Sequence, residues 1–388
     1  MIEGKVAVSS KGEARIARGH PWIFRSDVVR ADGVPPGAVV RVEGSRGRPL
    51  GFALYSSLSE IRLRMIERGE TLAPDFLAAR IAAALAWRDR IAPGAEACRL
   101  VHGEADGLPS LIVDRYGDYL VVQTLSQGTE ALKADVVRVL AERLHPRGIL
   151  ERNDPRVRQL EGLESRVELL QGEVPPSVVV DLGGIRFEAD LWKGQKTGLF
   201  LDQRENHLMA RSYAAGRVLD AFTYNGGFAL SVARLASEVV AVDVSAEALA
   251  AVSRNAALNG IANVTTREEN VFDLLHELDD RGERFDTVIL DPPAFAKSKD
   301  AIPKARRGYK EINLRALKIL NPGGCLITCS CSYHVHEADL EAILAEAATD
   351  AGVAATIVEK RRQARDHPVL LGVPETSYLK CFVLRKLA

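Results

Sequence analysis

Cys329 and Cys331 close the run ITCSCS, residues 327–332. A thiolate is a strong nucleophile near neutral pH, and reactive cysteines sit at polar, partly exposed positions. The run follows the turn Asn321-Pro322-Gly323-Gly324, so Cys331, seven residues beyond Gly324, falls at the end of a strand. Cys329 shares its face but lies deeper, where a cysteine usually acts as a small hydrophobe. A Cys331 thiolate could add to C6 of a pyrimidine and turn the otherwise unreactive C5 into an enamine carbon. Asp291 is the matching acid: it ends the strand FDTVIL and is followed by Pro292 and Pro293. Two prolines fix the backbone there, and a carboxylic acid near N3 would stabilise the adduct. Cys325, Cys329, Cys331, His334 and His336 are close in sequence, but their spacing matches no usual zinc pattern, and no metal is expected.

A second constellation lies upstream. Asp220 ends the strand RVLDAF, and Gly226-Gly227 open the next helix. Twenty-three residues on, Asp243 ends the following strand, where a carboxylate can accept both hydroxyls of an adenosine ribose. This is dinucleotide-fold geometry without GxGxxG, the spacing that a diphosphate requires. S-adenosylmethionine has no phosphate, and Asp220 could hold its ammonium group.

These residues need a scaffold that brings strand ends together. The apolar strands RVLDAF, VVAVDV, FDTVILD and CLITCS alternate with helical runs, which implies βαβ units and a parallel, doubly wound α/β sheet. The last run, SYLKCFVLRK, is expected to close the sheet antiparallel. In front, short strands and turns suggest a small β-rich domain over 1–70. A helix over Leu72–Arg90, a helical stretch near 129–144 and several strands suggest a middle α/β domain over 71–190, which leaves 191–388 for the catalytic domain. Residues 1–70 carry 12 Lys and Arg against 8 Asp and Glu, whereas the remainder carries 39 against 44. Such a basic front end suits phosphate contact. Lys297, Lys299, Lys304, Arg306, Arg307 and Lys310 follow the Asp-Pro-Pro turn and are expected at the mouth of the site. No apolar run approaches the roughly 18–20 residues of a membrane span, and the N-terminus has no signal-peptide core. Five unevenly spaced cysteines argue against a disulfide framework, so a cytosolic, reduced protein is expected.

Together these stretches carry a resemblance. With KGEARIARGHPWIFRSDV, GEADGLPSLIVDRYGDYLVVQ, GQKTGLFLDQREN, LDAFTYNGGF, DPPAFAKSK, RRGYKEIN and TCSCS, the chain resembles over nearly its full length the bacterial 23S rRNA 5-methylcytosine methyltransferases of the large-subunit methyltransferase I type. The resemblance implies a β-barrel PUA domain in front, a middle domain that helps form the substrate cleft, a Rossmann-like class I methyltransferase domain, S-adenosylmethionine as cofactor, 23S rRNA as substrate and a homodimer. It places Asp220, Phe222, Thr223, Asn225, Gly226 and Asp243 at the cofactor. Asn270 and Val271 fall on the adenine-contacting turn, where close relatives often carry an acid. Thr197, Asp202 and Arg204 resemble the lid over the methionine end. Cys331 aligns with the nucleophile of RNA cytosine-5 methyltransferases. Many such enzymes have a second cysteine where this chain has Pro293, so another group must assist product release. Two alternatives stay open: methylation of a base amine or guanine N7 without a cysteine, and a non-catalytic RNA-binding protein that kept the fold.

Overall fold

The computed structural model describes residues 2–296 and 298–387. The chain packs as two compact units. The first comprises the chain up to Val180 with Ala189–Leu199 and Asp366–Thr376; the second comprises Asp181–Glu188, Phe200–Arg365 and the chain from Ser377 onward.

In the first unit, six strands between Ile2 and Arg68 form one sheet. Ile2–Val8 runs parallel to Val39–Glu43, and the other paired neighbours are antiparallel. Alternation along the strands buries Val6, Val8, Val40, Val42, Leu63 and Met65. Sequence reasoning gave only strands and turns here and missed the helix Ser10–Ala17. Only Gly12 and Ile16 of that helix are buried, so it has no apolar stripe to reveal it; Ser9 caps it by accepting from the Gly12 amide. A five-stranded sheet follows, in the order Arg166–Gly172, Gly148–Asn153, Tyr119–Thr124, Leu111–Tyr116, Ala97–His102. Phe76–Ile91 and Lys133–Leu144 are its long helices. Phe52, Leu54 and Ile66 of the front sheet share one core with Ile81, Leu100, Val113 and Leu140. The front and middle regions thus bury common apolar surface within one compact unit.

A buried ionic cluster ties the middle sheet together. Glu130 accepts hydrogen bonds from Thr124 Oγ1 at 2.6 Å, Lys133 Nζ at 2.7 Å and Arg158 Nη1 at 2.9 Å. Burial raises its carboxyl, but these donors and the Arg158 charge outweigh that effect and hold it at about 2. Its folded pKa lies below the unfolded value, so its stabilisation is present above pH about 4.5 and is lost as pH falls toward 2. At 1.36 kcal/mol per unit, less some solvent screening, the effect is on the order of 2–3 kcal/mol. Glu130→Gln is expected to lower urea resistance by that amount near neutral pH and to match wild type near pH 2. An unchanged midpoint at neutral pH would refute this.

The second unit is built on seven strands: β1 (Arg217–Ala221), β2 (Glu238–Asp243), β3 (Val264–Glu268), β4 (Phe285–Leu290), β5 (Leu320–Ser330), β6 (Ala355–Arg361) and β7 (Lys380–Lys386). Their order is β3-β2-β1-β4-β5-β7-β6. β7 alone runs opposite to the other six strands, antiparallel to both β5 and β6, as expected for SYLKCFVLRK, but it does not close the sheet: β6 pairs on its far side and forms the edge. Besides the short helix Arg204–Ala210, this unit has the helices α1 (Gly227–Val232), α2 (Ala246–Leu258), α3 (Val271–Asp280), α4 (Ile302–Ile319) and α5 (Glu337–Ala351). Both faces of the sheet are buried: Leu219, Val288 and Leu326 pack against α3, α4 and α5, while Val218, Ile289 and Ile327 pack beneath Phe228 and Val252. That is why these strands read as continuous apolar runs. The segment Asn321–Gly324 is not a turn before β5 but part of it, with a register shift against β4. The strand order reverses between β1 and β4, the place where open parallel sheets bind ligands. Among the described residues, no helix is long and apolar enough to cross a membrane.

Candidate active site at the switch point of the parallel sheet

Asp220 sits at the end of β1 and is 1% exposed. Its Oδ2 accepts from Thr223 Oγ1 at 2.6 Å and from the Ala229 amide at 2.9 Å. Its Oδ1 is buried with no hydrogen-bond partner. Burial pushes its carboxyl up to about 7, because only those two hydrogen bonds support the charge. The chain leaves β1 through a contorted turn: Phe222, Tyr224 and Gly226 have φ of 65°, 51° and 87°. Left-handed backbone at two non-glycine residues costs about 1–2 kcal/mol each, a strain that persists only where the surrounding structure imposes it. The fold holds it with bonds from the Thr223 amide to Val242 O and from Asn255 Nδ2 to Asn225 O. Gly227 is required for another reason: a Cβ there would collide with the His207 ring. That ring is buried, and desolvation lowers its pKa to about 3, so it is a neutral packing element.

Asp243 ends β2 beside this turn. Its carboxylate accepts from the Tyr224 amide at 2.9 Å and the Ser245 amide at 3.1 Å, one on each oxygen. Each oxygen keeps a further lone pair for a hydroxyl. Asn270 is exposed and caps α3, with Oδ1 accepting from the Phe272 amide at 2.9 Å; Val271 is buried behind it. Its carbonyl oxygen is therefore engaged by the cap, and its amide group is the part that can offer a donor. Asp202 is buried and accepts from Tyr378 Oη at 2.7 Å, and Arg204 opens the helix Arg204–Ala210. Thr197 belongs to the first unit. There its hydroxyl donates to Asp114 Oδ2 at 2.7 Å and meets Tyr116 Oη at 2.9 Å, so it is already occupied.

Asp291 leaves β4 with its amide donating to Ala221 O, which joins the two strand ends. Cys331 lies one residue beyond β5, half-buried, and its thiol points to the Pro292 carbonyl at 3.9 Å. The Asp-Pro-Pro turn and the second cysteine therefore meet. Cys329 is 0% exposed and pairs in register with Cys381 across β5 and β7. Burial and the Cys381 thiol push its pKa well up, so it is a core thiol. Ser332 immobilises the turn: its Oγ accepts from the Ala296 amide at 3.1 Å and meets Tyr309 Oη at 2.9 Å, and its carbonyl accepts from Lys380 Nζ at 2.7 Å. Sequence reasoning missed Tyr309, Ser332 and Lys380. The available signal was a lysine two residues from Phe382 on an otherwise apolar strand face.

The basic run after the turn is less open than expected. Arg306 pairs with Glu346 and Asp339, and Lys310 with Asp350, all on α5. Lys304 and Arg307 are exposed. Lys297 lies outside the described residues, as does the Lys299 side chain.

Residues 137–385 match the family model of S-adenosylmethionine-dependent methyltransferases, and residues 6–68 match that of PUA-like domains. The ribosomal RNA large subunit methyltransferase I of Shigella boydii serotype 18 is 40% identical over 390 residues, covering 97% of this chain and 98% of its own. That of Klebsiella pneumoniae strain 342 is 39% identical with 97% coverage of both. The chain belongs to the ribosomal RNA large subunit methyltransferase I family. It is thus an enzyme whose cofactor is S-adenosylmethionine, as the resemblance implied. A SAM-dependent methyltransferase from Streptococcus mutans, 21% identical, superposes with a TM-score of 0.83 over 99% of this chain and 100% of that one, in accord with the fold. The residues present suit the cofactor. The orphaned Asp220 oxygen matches an ammonium group, and the spare Asp243 lone pairs match a ribose diol.

Proposed function

We propose that this methyltransferase forms 5-methylcytidine in 23S rRNA, with Cys331 as nucleophile and Asp291 as acid. The observation that carries this reading is the placement of the Cys331 thiol against the Asp-Pro-Pro turn, while Cys329 is sealed in the core. The Cys331 thiolate bonds to cytosine C6, and the C5–C6 electron pair moves toward C5 and the ring, where the Asp291 acid supports the developing charge at N3. Bound S-adenosylmethionine supplies an electrophilic methyl group. Removal of the C5 proton then lets the Cys331 sulfur leave C6 with its electron pair. Asp220, Phe222, Thr223, Asn225, Gly226, Asp243, Asn270 and Val271 hold the cofactor, and Asp202 and Arg204 support its methionine end; the occupied Thr197 hydroxyl acts in this proposal by ordering its loop. The 1–70 region binds RNA, 71–190 shapes the cleft, and 191–388 catalyses. The protein acts in the cytoplasm as a homodimer, a state that sedimentation tests. Mapping 5-methylcytidine in rRNA from cells lacking the protein tests the whole reading: one cytidine should lose its methyl group and regain it on complementation, and an unaltered map would overturn it.

The ribose assignment is testable by itself. Asp243→Ala is expected to weaken S-adenosylmethionine binding by about 1–3 kcal/mol, the cost of two hydroxyls left without acceptors. Calorimetry that finds unchanged affinity would remove Asp243 from the site.

A further inference from the structure

The turn that carries the nucleophile rests on a buried cation. Lys380 opens β7 opposite Ser330 of β5 and is 5% exposed. It shares a strand face with Phe382 and Leu384, which pack in the same core as Tyr309 and Val335. A charge in such a place is costly unless it is paired and hydrogen-bonded. Its Nζ donates to Ser332 O at 2.7 Å and to Tyr378 O at 2.9 Å. A neutral amide could serve those two carbonyls, so the hydrogen bonds alone do not account for a cation.

The neighbouring elements carry ionisable groups. Cys331 follows β5, Asp291 follows β4, Tyr309 comes from α4, and Asp339 lies in the first turn of α5. Burial lowers the Lys380 ammonium to about 8, and the Cys331 and Asp339 charges act against that shift. Asp339 is engaged elsewhere, accepting from the His336 amide at 3.0 Å and facing Arg306 at 3.7 Å. Burial raises the Tyr309 phenol, and the Cys331 charge adds to the effect, so the phenol stays protonated. If the Cys331 charge favours the ammonium, the ammonium favours the thiolate by the same free energy.

We propose that Lys380 is a positioning residue for the methylation nucleophile: it fixes the Cys331–Ser332 turn through the Ser332 carbonyl and stabilises Cys331 as the thiolate by its charge. The thiol proton goes to solvent and Lys380 keeps its own, so an ammonium–thiolate arrangement is the reactive ground state. The inference rests on Cys331 being the nucleophile.

The test measures thiol reactivity of the full-length protein and needs no turnover. Brief iodoacetamide labelling is carried out from about pH 5 to 10, and the Cys331 peptide is quantified by mass spectrometry. Wild type should titrate at least one unit below the ordinary cysteine value of about 8.5. Lys380→Met and Lys380→Gln should both move that midpoint upward by about one unit and slow labelling near pH 7 by about tenfold, whereas Lys380→Arg should keep the wild-type midpoint. Glutamine retains a donor for the Ser332 carbonyl, so it separates charge from geometry and serves if the methionine variant does not fold; thermal melting and cofactor affinity report folding. A purely structural lysine would alter the labelling amplitude and leave the midpoint in place, and identical midpoints in wild type and Lys380→Gln would overturn the proposal. Full methylation by Cys331→Ser would instead overturn the reading beneath it, whatever the titration shows.

Discussion

Cys331→Ser is expected to lower cytosine methylation by several orders of magnitude and to leave S-adenosylmethionine affinity within about a factor of two. A serine hydroxyl is scarcely ionised near neutral pH and cannot replace a thiolate in addition to C6. The residue is half-buried just beyond β5, so the exchange of sulfur for oxygen disturbs little packing. The cofactor carboxylates are on other strands, at the ends of β1 and β2. Cys329→Ala should behave differently. That thiol is part of the core with Ile327, Cys381 and Val383, and its truncation should cost about 1–2 kcal/mol of stability while activity survives. RNA containing 5-fluorocytidine should trap wild type as a denaturant-resistant adduct, because fluorine at C5 cannot leave as a proton. Mass spectrometry should find the nucleotide on Cys331. An adduct on Cys329, or full C5 methylation by Cys331→Ser, would reverse the assignment; base-amine or guanine N7 methylation by Cys331→Ser would favour the alternative that needs no cysteine.

The sequence revealed what strand ends reveal. Asp220, Asp243 and Asp291 each follow an apolar run, and a parallel sheet gathers such positions at one edge. Cys331 could be separated from Cys329 because a two-residue step along β5 is the difference between core and rim. What stayed hidden depends on partners distant in the chain. Arg306 and Lys310 looked like a phosphate-binding run, yet their acids Glu346 and Asp350 lie about one helix later, on α5. Lys380 is brought under Ser332 only by the antiparallel return of β7. The left-handed Phe222 and Tyr224 were illegible for another reason: neither residue type announces positive φ, and the surrounding bonds impose it. The core shared by the front and middle regions was hidden too, since no local pattern says that Leu54 and Ile81 pack together.

Asp220 should make cofactor binding depend on pH in a way that its asparagine variant abolishes. Burial raises its carboxyl to about 7 from the ordinary 3.8. The sign for stability follows: this group's favourable contribution is complete below pH 3.8 and is lost as pH rises through about 7, where a buried charge must form. The cofactor ammonium reverses the preference, because it pairs with the ionised form at the orphaned Oδ1. Affinity should therefore fall about tenfold per pH unit below pH ~7. It should fall again above about 8, where an α-amino group loses its proton. Asp220→Asn keeps an acceptor for Thr223 and Ala229 but sets an amide donor toward the ammonium. Near pH 7.5 it should weaken binding by about 1.5–3 kcal/mol, roughly 10- to 150-fold. Its acid limb should disappear, and the cofactor-free protein should melt higher than wild type near pH 8, because no buried carboxylate remains to ionise. Calorimetric titrations between about pH 6 and 8 decide the matter. Flat wild-type affinity across that range would show that Asp220 does not titrate at the cofactor, and a variant that loses affinity but retains the acid limb would assign the limb to another group.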